Sequence, residues 1–228
     1  MKRLAATALA LLAMGLFAQA PAVGTVWDPA VEFSATDNPN GVWAYGWVSY
    51  EDFVAGGYTL TLFDTIRVWD ELNHWGVEAG TEPAVLYNPT EDVHWFGNAV
   101  PPHTLALHPG GSDERAIIRW TAPESGLFSI VGNFFSDGDP TVDVHVMLNG
   151  TSIFDSDFFG PGSDPFDLPV AVAAGDTLDY AVGFGGNGHN GDATCFSVQI
   201  ELVPEPGSML AVGGGLLGLL GLVARRRR

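Results

Sequence analysis

Basic side chains are scarce in this chain of 228 residues and unevenly placed. Lys2 is its single lysine, and six of its nine basic residues stand at the two ends. Between residues 4 and 224, three arginines accompany 27 acidic residues, a formal charge of −24. Phosphate contacts need clustered lysine or arginine, so no nucleic-acid partner is predicted. The acidity is typical of a soluble, self-repelling surface, and the alternative is that some carboxylates bind Ca²⁺.

Two further absences narrow the function. Cys195 is the one cysteine, so no intramolecular disulfide can form, and its apolar surroundings predict an inert core residue. The chain has no GxSxG, HExxH or EF-hand pattern, the signatures of common hydrolases, metalloproteases and calcium loops. Residues 183–188 match GxGxxG, but no helix is predicted after them, so we expect a loop and not a nucleotide site.

The first 22 residues have the features of a secretory signal peptide. Two basic residues precede an apolar run over 4–17, and a small-x-small cleavage pattern follows at 18–20. Cleavage is predicted after Ala20 or, because a proline follows that residue, after Ala22. The mature protein is therefore predicted to be exported.

An uncharged segment ends the chain. Residues 207–224 carry no charge, and as a helix they would be roughly 27 Å long, just enough to cross the hydrocarbon core. Residues 225–228 are four arginines, which the positive-inside rule keeps in the cytoplasm. We therefore predict a transmembrane helix over 207–224, with the chain before Pro204 outside the inner membrane.

The order of parts in residues 204–228 resembles the PEP-CTERM sorting signal. A Pro-Glu-Pro sequence is followed by a glycine- and leucine-rich span and then by terminal arginines. The resemblance implies processing by an exosortase-type transpeptidase, and then a place at the cell surface or in the extracellular matrix. The sorting residues that it implies are Pro204, Glu205 and Pro206 for recognition, and Arg225, Arg226, Arg227 and Arg228 as the cytoplasmic stop. An ordinary membrane anchor without sorting is the alternative.

Residues 23–203, between the terminal segments, are predicted to form an all-β ectodomain, an antiparallel β-sandwich. The clearest strand pattern is Val142–Leu148, in which apolar and polar residues alternate. Asn149-Gly150 then supplies the positive φ of a tight hairpin, and Ser152–Phe154 begins the return strand. No long linker interrupts the segment, so one continuous domain is expected.

The later part of the ectodomain, residues 115–202, resembles jelly-roll modules of exported bacterial surface proteins. Many of those modules are similar to carbohydrate-binding domains. The resemblance is carried by Arg119–Pro123, Ser125–Phe128, Ala174–Asp176 and Asp192–Thr194. It implies a jelly-roll-like fold, and it favours a carbohydrate ligand less strongly, because one fold serves many functions.

Tryptophan and histidine concentrate in the first part of the ectodomain. Residues 26–109 hold six of the seven tryptophans and four of the six histidines. An aromatic platform on which sugar rings stack is predicted from Trp69, His74, Trp75, His94 and Trp95. The alternative is that these side chains pack in the core or cover sheet edges. Zinc binding by the histidines is disfavoured, because they lack zinc-ligand spacing and cysteine partners.

Several aspartates stand in turn-like segments rich in Asn, Asp and Gly. Carboxylate and carbonyl oxygens are the ligands that Ca²⁺ prefers, and structural Ca²⁺ is the one cofactor that the sequence suggests. Its predicted ligands are Asp137, Asp139, Asp155, Asp157 and Asp192. The alternative is that these residues only shape turns, because Asp, Asn and Gly tolerate positive φ.

The sequence favours a non-enzymatic envelope or matrix protein that binds carbohydrate, with exopolysaccharide as the expected ligand, or that associates with neighbouring proteins. Two alternatives stay open. A hydrolase acting on surface polysaccharide would need two carboxyl groups about 5 to 9 Å apart in a groove. A purely structural surface protein would bury the tryptophans of the predicted platform.

In cells that contain an exosortase, we expect the mature protein to lose residues 207–228, because processing at the Pro-Glu-Pro site separates them from the ectodomain. Intact-mass analysis of the exported protein measures this. A tail that is retained in such cells would contradict the prediction.

Overall fold

A computed structural model describes residues 25–77 and 82–204, and residues 24–203 form one compact unit. The predicted signal peptide and the predicted transmembrane helix lie outside the described residues. Within those ranges, no helix is long and apolar enough to cross a membrane.

Strands make up most of the described chain. In chain order the elements are β1 (Val26–Trp27), β2 (Trp43–Val48), α1 (Tyr50–Ala55), β3 (Thr61–Leu62), β4 (Thr65–Trp69), β5 (Leu72–Gly76), β6 (Ala84–Tyr87), β7 (His94–Phe96), β8 (Asn98–Val100), β9 (Leu105–His108), β10 (Arg115–Thr121), β11 (Gly126–Ser136), β12 (Thr141–Leu148), β13 (Thr151–Phe159), β14 (Gly162–Val172), β15 (Thr177–Gly183) and β16 (Thr194–Leu202).

Two antiparallel sheets face each other, which confirms the predicted β-sandwich. Sheet A has the order β14-β11-β16-β9-β6-β5-β4, with β1 also paired to β16, and sheet B has the order β13-β12-β15-β10-β2-β3. From β10 onward the chain passes repeatedly between the sheets, the jelly-roll-like arrangement expected for this part. A separate hairpin, β7–β8, adds a third, two-stranded sheet.

Three apolar clusters follow from this arrangement. The largest lies between sheets A and B and contains the fully buried Trp43, Trp120 and Phe128. A second cluster packs α1 and the following segment against the outer face of sheet B, with Phe53 buried. A third packs the β7–β8 hairpin against the outer face of sheet A through Val100. Parts of both outer faces are therefore covered.

The segment over sheet B is fixed by polar contacts as well as by packing. Ser49 caps α1, accepting a hydrogen bond from the backbone N–H of Asp52. The Tyr58 hydroxyl donates to the buried carboxylate of Asp179 at 2.7 Å, and Arg119 binds the same carboxylate with two nitrogens at 2.6 and 2.7 Å. The bidentate pair neutralises a carboxylate that would otherwise be buried unpaired.

The predicted hairpin is confirmed by β12 and β13, because Asn149 and Gly150 join them with φ values of 50° and 76°. The return strand β13 runs from Thr151 to Phe159, and β14 follows it after a short turn, at Gly162. β14 lies at the edge of sheet A, where Pro165 and Pro169 are tolerated although they cannot donate to a ladder. Residues 184–193 form turns with no helix after β15, as predicted.

His145 connects the two strands of this hairpin. Its Nε2 lies 2.8 Å from Asp143 and its Nδ1 lies 2.9 Å from Asp155. Burial alone would lower the pKa of His145, but its hydrogen bonds to Asp143 and Asp155 outweigh burial and raise it above 6.5. The imidazolium ion is therefore a bridge between β12 and the edge strand β13.

Because the pKa of His145 is raised in the folded state, its contribution to stability is fully present below pH 6.5 and is lost as the pH rises through the raised value. We expect Asp155→Asn to lower the free energy of unfolding by about 0.5–1 kcal/mol at pH 5.5 and by less at pH 9. Urea unfolding at both pH values measures this. Asp157→Asn, an exposed position on the same strand, is the control, and an equal loss for Asp155→Asn at both pH values would contradict the bridge.

Candidate functional site

A groove with a volume of about 340 Å³ lies on the outer face of sheet A, beside the edge strand β4. Its sides come from β4 and from the turn of the β7–β8 hairpin, and buried side chains of β5 and β9 also line it. The described lining residues are Arg67, Val68, Trp69, His74, Glu82, Trp95, Phe96, Gly97, His108, His189, Asn190 and Gly191.

Strand register explains why these side chains meet. Arg67 of β4 is paired with His74 of β5, and Trp69 with Leu72. Because side chains alternate across a strand, Arg67, Trp69 and His74 share one face of sheet A. The same face carries Leu72, which packs under the β7–β8 hairpin. The hairpin thus forms the second side of the groove.

Rings in edge-to-face contact continue the groove below its rim. Phe96 lies between two histidines, with its ring centroid 5.4 Å from that of His74 and 5.4 Å from that of His108. His108 in turn lies 6.0 Å from His189. Such contacts stabilise pairs of rings beyond the area that they bury, so the hairpin is held by its own aromatic residue.

With His74, His108 is one of two buried histidines in the described lining of this site. Burial lowers its pKa, so the ring is neutral at neutral pH. Its Nδ1 lies 2.9 Å from the carbonyl oxygen of Pro109. Because a carbonyl oxygen can only accept, Nδ1 carries the hydrogen, and Nε2 is the acceptor of the neutral ring. The site therefore holds an imidazole of defined tautomer.

Three of the five predicted platform residues line the groove: Trp69, His74 and Trp95. Trp69 and Trp95 each expose 60% of their surface, whereas His74 is buried. These two indoles are the large apolar groups that a ligand would meet.

Trp75 and His94 lie elsewhere, which corrects the predicted platform. Trp75 is only 4% exposed, belongs to the inter-sheet core and donates its indole N–H to the carbonyl oxygen of Ser34 at 2.9 Å. Adjacent strand residues face opposite sides, so His74 and Trp75 cannot share one surface. The ring of His94 contacts the Thr90 hydroxyl at 2.9 Å and lies outside the lining of the groove.

Sequence reasoning did not assign Arg67, Glu82, Phe96, His189 or Asn190 to a site. They come from distant parts of the chain, and no short motif links them. One signal was available: Phe96-Gly97-Asn98 after an aromatic pair is a turn sequence between two short apolar runs. It would have predicted the β7–β8 hairpin but not the surface on which that hairpin lies.

Asn98 holds the hairpin turn to the loop at the end of the groove. The Asn98 side chain is buried, and its amide donates to the carbonyl oxygens of Gly191 at 2.7 Å and Ala193 at 2.9 Å. Gly97 has a φ of 78°, and a Cβ atom there would lie 3.2 Å from the Cα of Gly191. The two backbones approach closely, and this approach fixes the end of the groove.

The five predicted calcium ligands lie in three different parts of the chain. Asp155 and Asp157 lie on β13, Asp137 and Asp139 in the turn after β11, and Asp192 before β16. Within residues 25–77 and 82–204, no group of three or more His, Cys, Asp or Glu side chains is placed to hold a metal ion.

Asp192 is the aspartate whose ionisation is most altered. Burial raises its pKa to about 6, and its carboxylate accepts a hydrogen bond from the backbone N–H of Thr141 at 3.0 Å. The Asp137 carboxylate accepts one from the N–H of Ala99 at 3.2 Å. Asp192 thus ties its loop to the start of β12, and Asp137 ties its turn to β8. Calcium binding stays a prediction.

A family model described as the PEP-CTERM protein-sorting motif matches residues 202–228. This stretch carries the Pro-Glu-Pro sequence and the terminal arginines. The tail is a PEP-CTERM sorting motif. The match begins at residue 202, two residues before the predicted start at Pro204. The motif implies an exported protein that an exosortase sorts. Among curated proteins, none matches the chain.

Solved structures with a similar fold are distant. One contains the CBM51-2 domain of Clostridium perfringens ZmpB in complex with GlcNAc (14% identity, 47% of this chain, 23% of that chain, TM-score 0.33). Another is a native family 35 carbohydrate binding module from Clostridium thermocellum (11% identity, 70% of this chain, 98% of that chain, TM-score 0.32). A third is Pika GITRL (19% identity, 40% of this chain, 79% of that chain, TM-score 0.28). This chain spans about a quarter of the length of the first, and likenesses this weak carry no argument about ligand or activity.

We expect Asn98→Asp to destabilise the protein by about 3 kcal/mol, because it removes two buried donors and leaves a carboxylate facing carbonyl oxygens. Denaturant unfolding near neutral pH measures the loss. Asn190→Asp makes the same change at an exposed position in the adjoining loop, and it is expected to shift stability by less than about 0.5 kcal/mol. Equal stability of the two variants would contradict the role given to Asn98.

Proposed function

We propose that the exported ectodomain binds polysaccharide in the groove on sheet A, as a non-enzymatic envelope or matrix protein. The observation that supports this is the pair Trp69 and Trp95, each 60% exposed, at the rim of a groove with polar lining groups. Sugar rings offer apolar faces that stack on indoles and hydroxyl groups that polar side chains bind.

Exposed indoles need a reason in a soluble β-sandwich. Trp27, Trp43, Trp75 and Trp120 are all buried in the inter-sheet core, which shows how this chain uses tryptophan for packing. Trp69 and Trp95 differ from them, since each exposes 60% of its surface. Contiguous exposed apolar groups rimmed by polar ones are typical of ligand grooves and interaction sites. This argues against a purely structural role.

The size of the groove favours a short stretch of sugar rings. Its volume of about 340 Å³ lies near the lower end of the roughly 300–1,000 Å³ found for ligand pockets. Asn190 and His189 at one end, with Arg67 along β4, supply the polar groups that orient a ligand. A few rings of a longer polysaccharide would fill the groove while the rest of the chain stays in solvent.

Glycoside hydrolysis is the alternative that the lining residues disfavour. Hydrolysis by a pair of carboxyl groups needs both of them flanking one glycosidic bond. Among the described lining residues, Glu82 is the single carboxylate. Binding without catalysis is therefore the proposal, and release of reducing ends from a polysaccharide by the purified protein would contradict it.

Trp69→Ala and Trp95→Ala are each expected to weaken polysaccharide binding about tenfold or more, because aromatic anchors carry much of the energy of such contacts. A glycan array identifies a ligand, and titration calorimetry with that ligand measures the loss. Phe159→Ala is the matched control, since Phe159 is also aromatic and is 62% exposed, but lies on sheet B.

Uniformly flat binding across the array would overturn the proposal, as would equal losses for Phe159→Ala and the two tryptophan variants. Repeating the titration with Ca²⁺ and with a chelator tests structural Ca²⁺, which remains part of the proposal. Binding that is unchanged by the chelator would remove calcium from it.

A further inference from the structure

The groove lacks the acidic excess of the rest of the chain. Between residues 4 and 224 the chain carries 27 acidic and three basic residues. The described lining of the groove contains Arg67 and three histidines but one acidic residue, Glu82. The acids of the adjoining β4–β5 turn, Asp70 and Glu71, each lie 3.7 Å from a ring nitrogen of His94, outside the lining.

The other two arginines between residues 4 and 224 lie on sheet B, and both form ion pairs with aspartates. Arg119 forms its bidentate pair with Asp179. Arg115 is buried and bound by Asp113 and by Asp143, the latter at 2.7 Å. Arg67, in contrast, is an exposed residue of β4. Among the described residues it is therefore the arginine that a ligand on sheet A can reach.

We propose that the groove takes a saccharide that carries a carboxylate group, with Arg67 as the residue that binds it. This inference rests on the proposed function, and it names the ligand class. The guanidinium group has five donors in a planar fork that matches the two oxygens of a carboxylate. Arg67 also has a partner within the protein, and a carboxylate bound by the fork takes two of its five donors.

The position of Arg67 relative to Trp69 fits such a ligand. The two residues are two positions apart on one strand, so they share a face with their Cα atoms about 7 Å apart. A sugar ring stacked on Trp69 therefore brings its neighbouring substituents over Arg67. A carboxylate on that ring, or on the next one, would accept two hydrogen bonds from the guanidinium group.

Long-range repulsion from the acidic surface opposes an anionic ligand, but it is the weaker effect at physiological salt. The Debye length is about 8 Å at 0.15 M ionic strength, so acids farther away are largely screened. A carboxylate in contact with Arg67 lies well within that length. The local ion pair, and not the net charge of the chain, then decides whether the carboxylate is favoured.

The test compares uronic acid oligosaccharides with their methyl esters, which keep the sugar and remove the charge. Trimers of galacturonate, glucuronate and mannuronate, each with its ester, are titrated against the full chain at 0.15 M salt. The full chain includes the predicted transmembrane helix and is therefore kept in detergent. The detergent must carry no sugar headgroup, because such a headgroup could compete for the groove. For at least one sugar, we expect the acid to bind about tenfold or more tightly than the ester. In Arg67→Gln this ratio is expected to fall to near one.

Gln199→Glu is the matched control, because it lowers the net charge by one, as Arg67→Gln does. Gln199 is an exposed residue of β16, and it is not among the residues that line the groove. The acid-to-ester ratio should stay unchanged in this variant. An equal fall in both variants would assign the preference to net charge and overturn the role of Arg67.

The two proposals fail in different ways. If acid and ester bind equally and Trp69→Ala weakens both, the groove binds sugar but the carboxylate class is wrong. If no acid or ester binds while a neutral polysaccharide does, the carboxylate class is again wrong and the proposed function stands. If no saccharide of either kind binds, the proposed function and the ligand class are both overturned.

Discussion

The inter-sheet core of the sandwich is built around an aromatic cluster in which Trp27, Trp120 and Phe128 contact one another at centroid distances of 5.2 to 5.8 Å. These rings come from β1, β10 and β11, so they tie both sheets and the first strand together. Once the inner faces are fixed against each other, alternation along each strand decides which side chains point outward. The groove depends on that constraint, because its residues on β4, β5 and β9 belong to the outer set.

The same alternation explains which parts of the site were predictable. The sandwich and the β12–β13 hairpin follow from local signals, namely period-2 patterns and the positive φ of Asn149-Gly150. The pairing of His74 with Trp75 in a platform was wrong, because neighbouring residues on a strand face opposite sides. The error would have been avoided if Leu72–Gly76 had been recognised as a strand, because His74 and Trp75 are adjacent in it. That segment has no clear apolar alternation, and its strand comes from pairing with β4 and β6.

The rest of the groove was beyond reach of local patterns for a different reason. Its residues lie between positions 67 and 191, and they meet because sheet A places β4, β5, β6 and β9 side by side. The hairpin β7–β8 then covers part of that surface, and Asn98 binds it to a loop more than 90 positions away. Contacts of this kind depend on the order of strands in a sheet, which side-chain periodicity does not specify.

The sandwich has only three arginines among its described residues, and two of them form ion pairs with aspartates on sheet B. Arg115 and Arg119 lie on sheet B, where their pairs with Asp143 and Asp179 make the burial of charge tolerable, and Tyr58 ties the covering segment to the same Asp179 carboxylate. Lysine is absent from this part of the chain, so no flexible ammonium group can neutralise the many surface acids. The surface therefore stays acidic, and the groove is where a cation, histidines and exposed indoles occur together. The proposed ligand class follows from this placement, because Arg67 stands at this edge of sheet A beside a groove whose described lining holds one acidic residue.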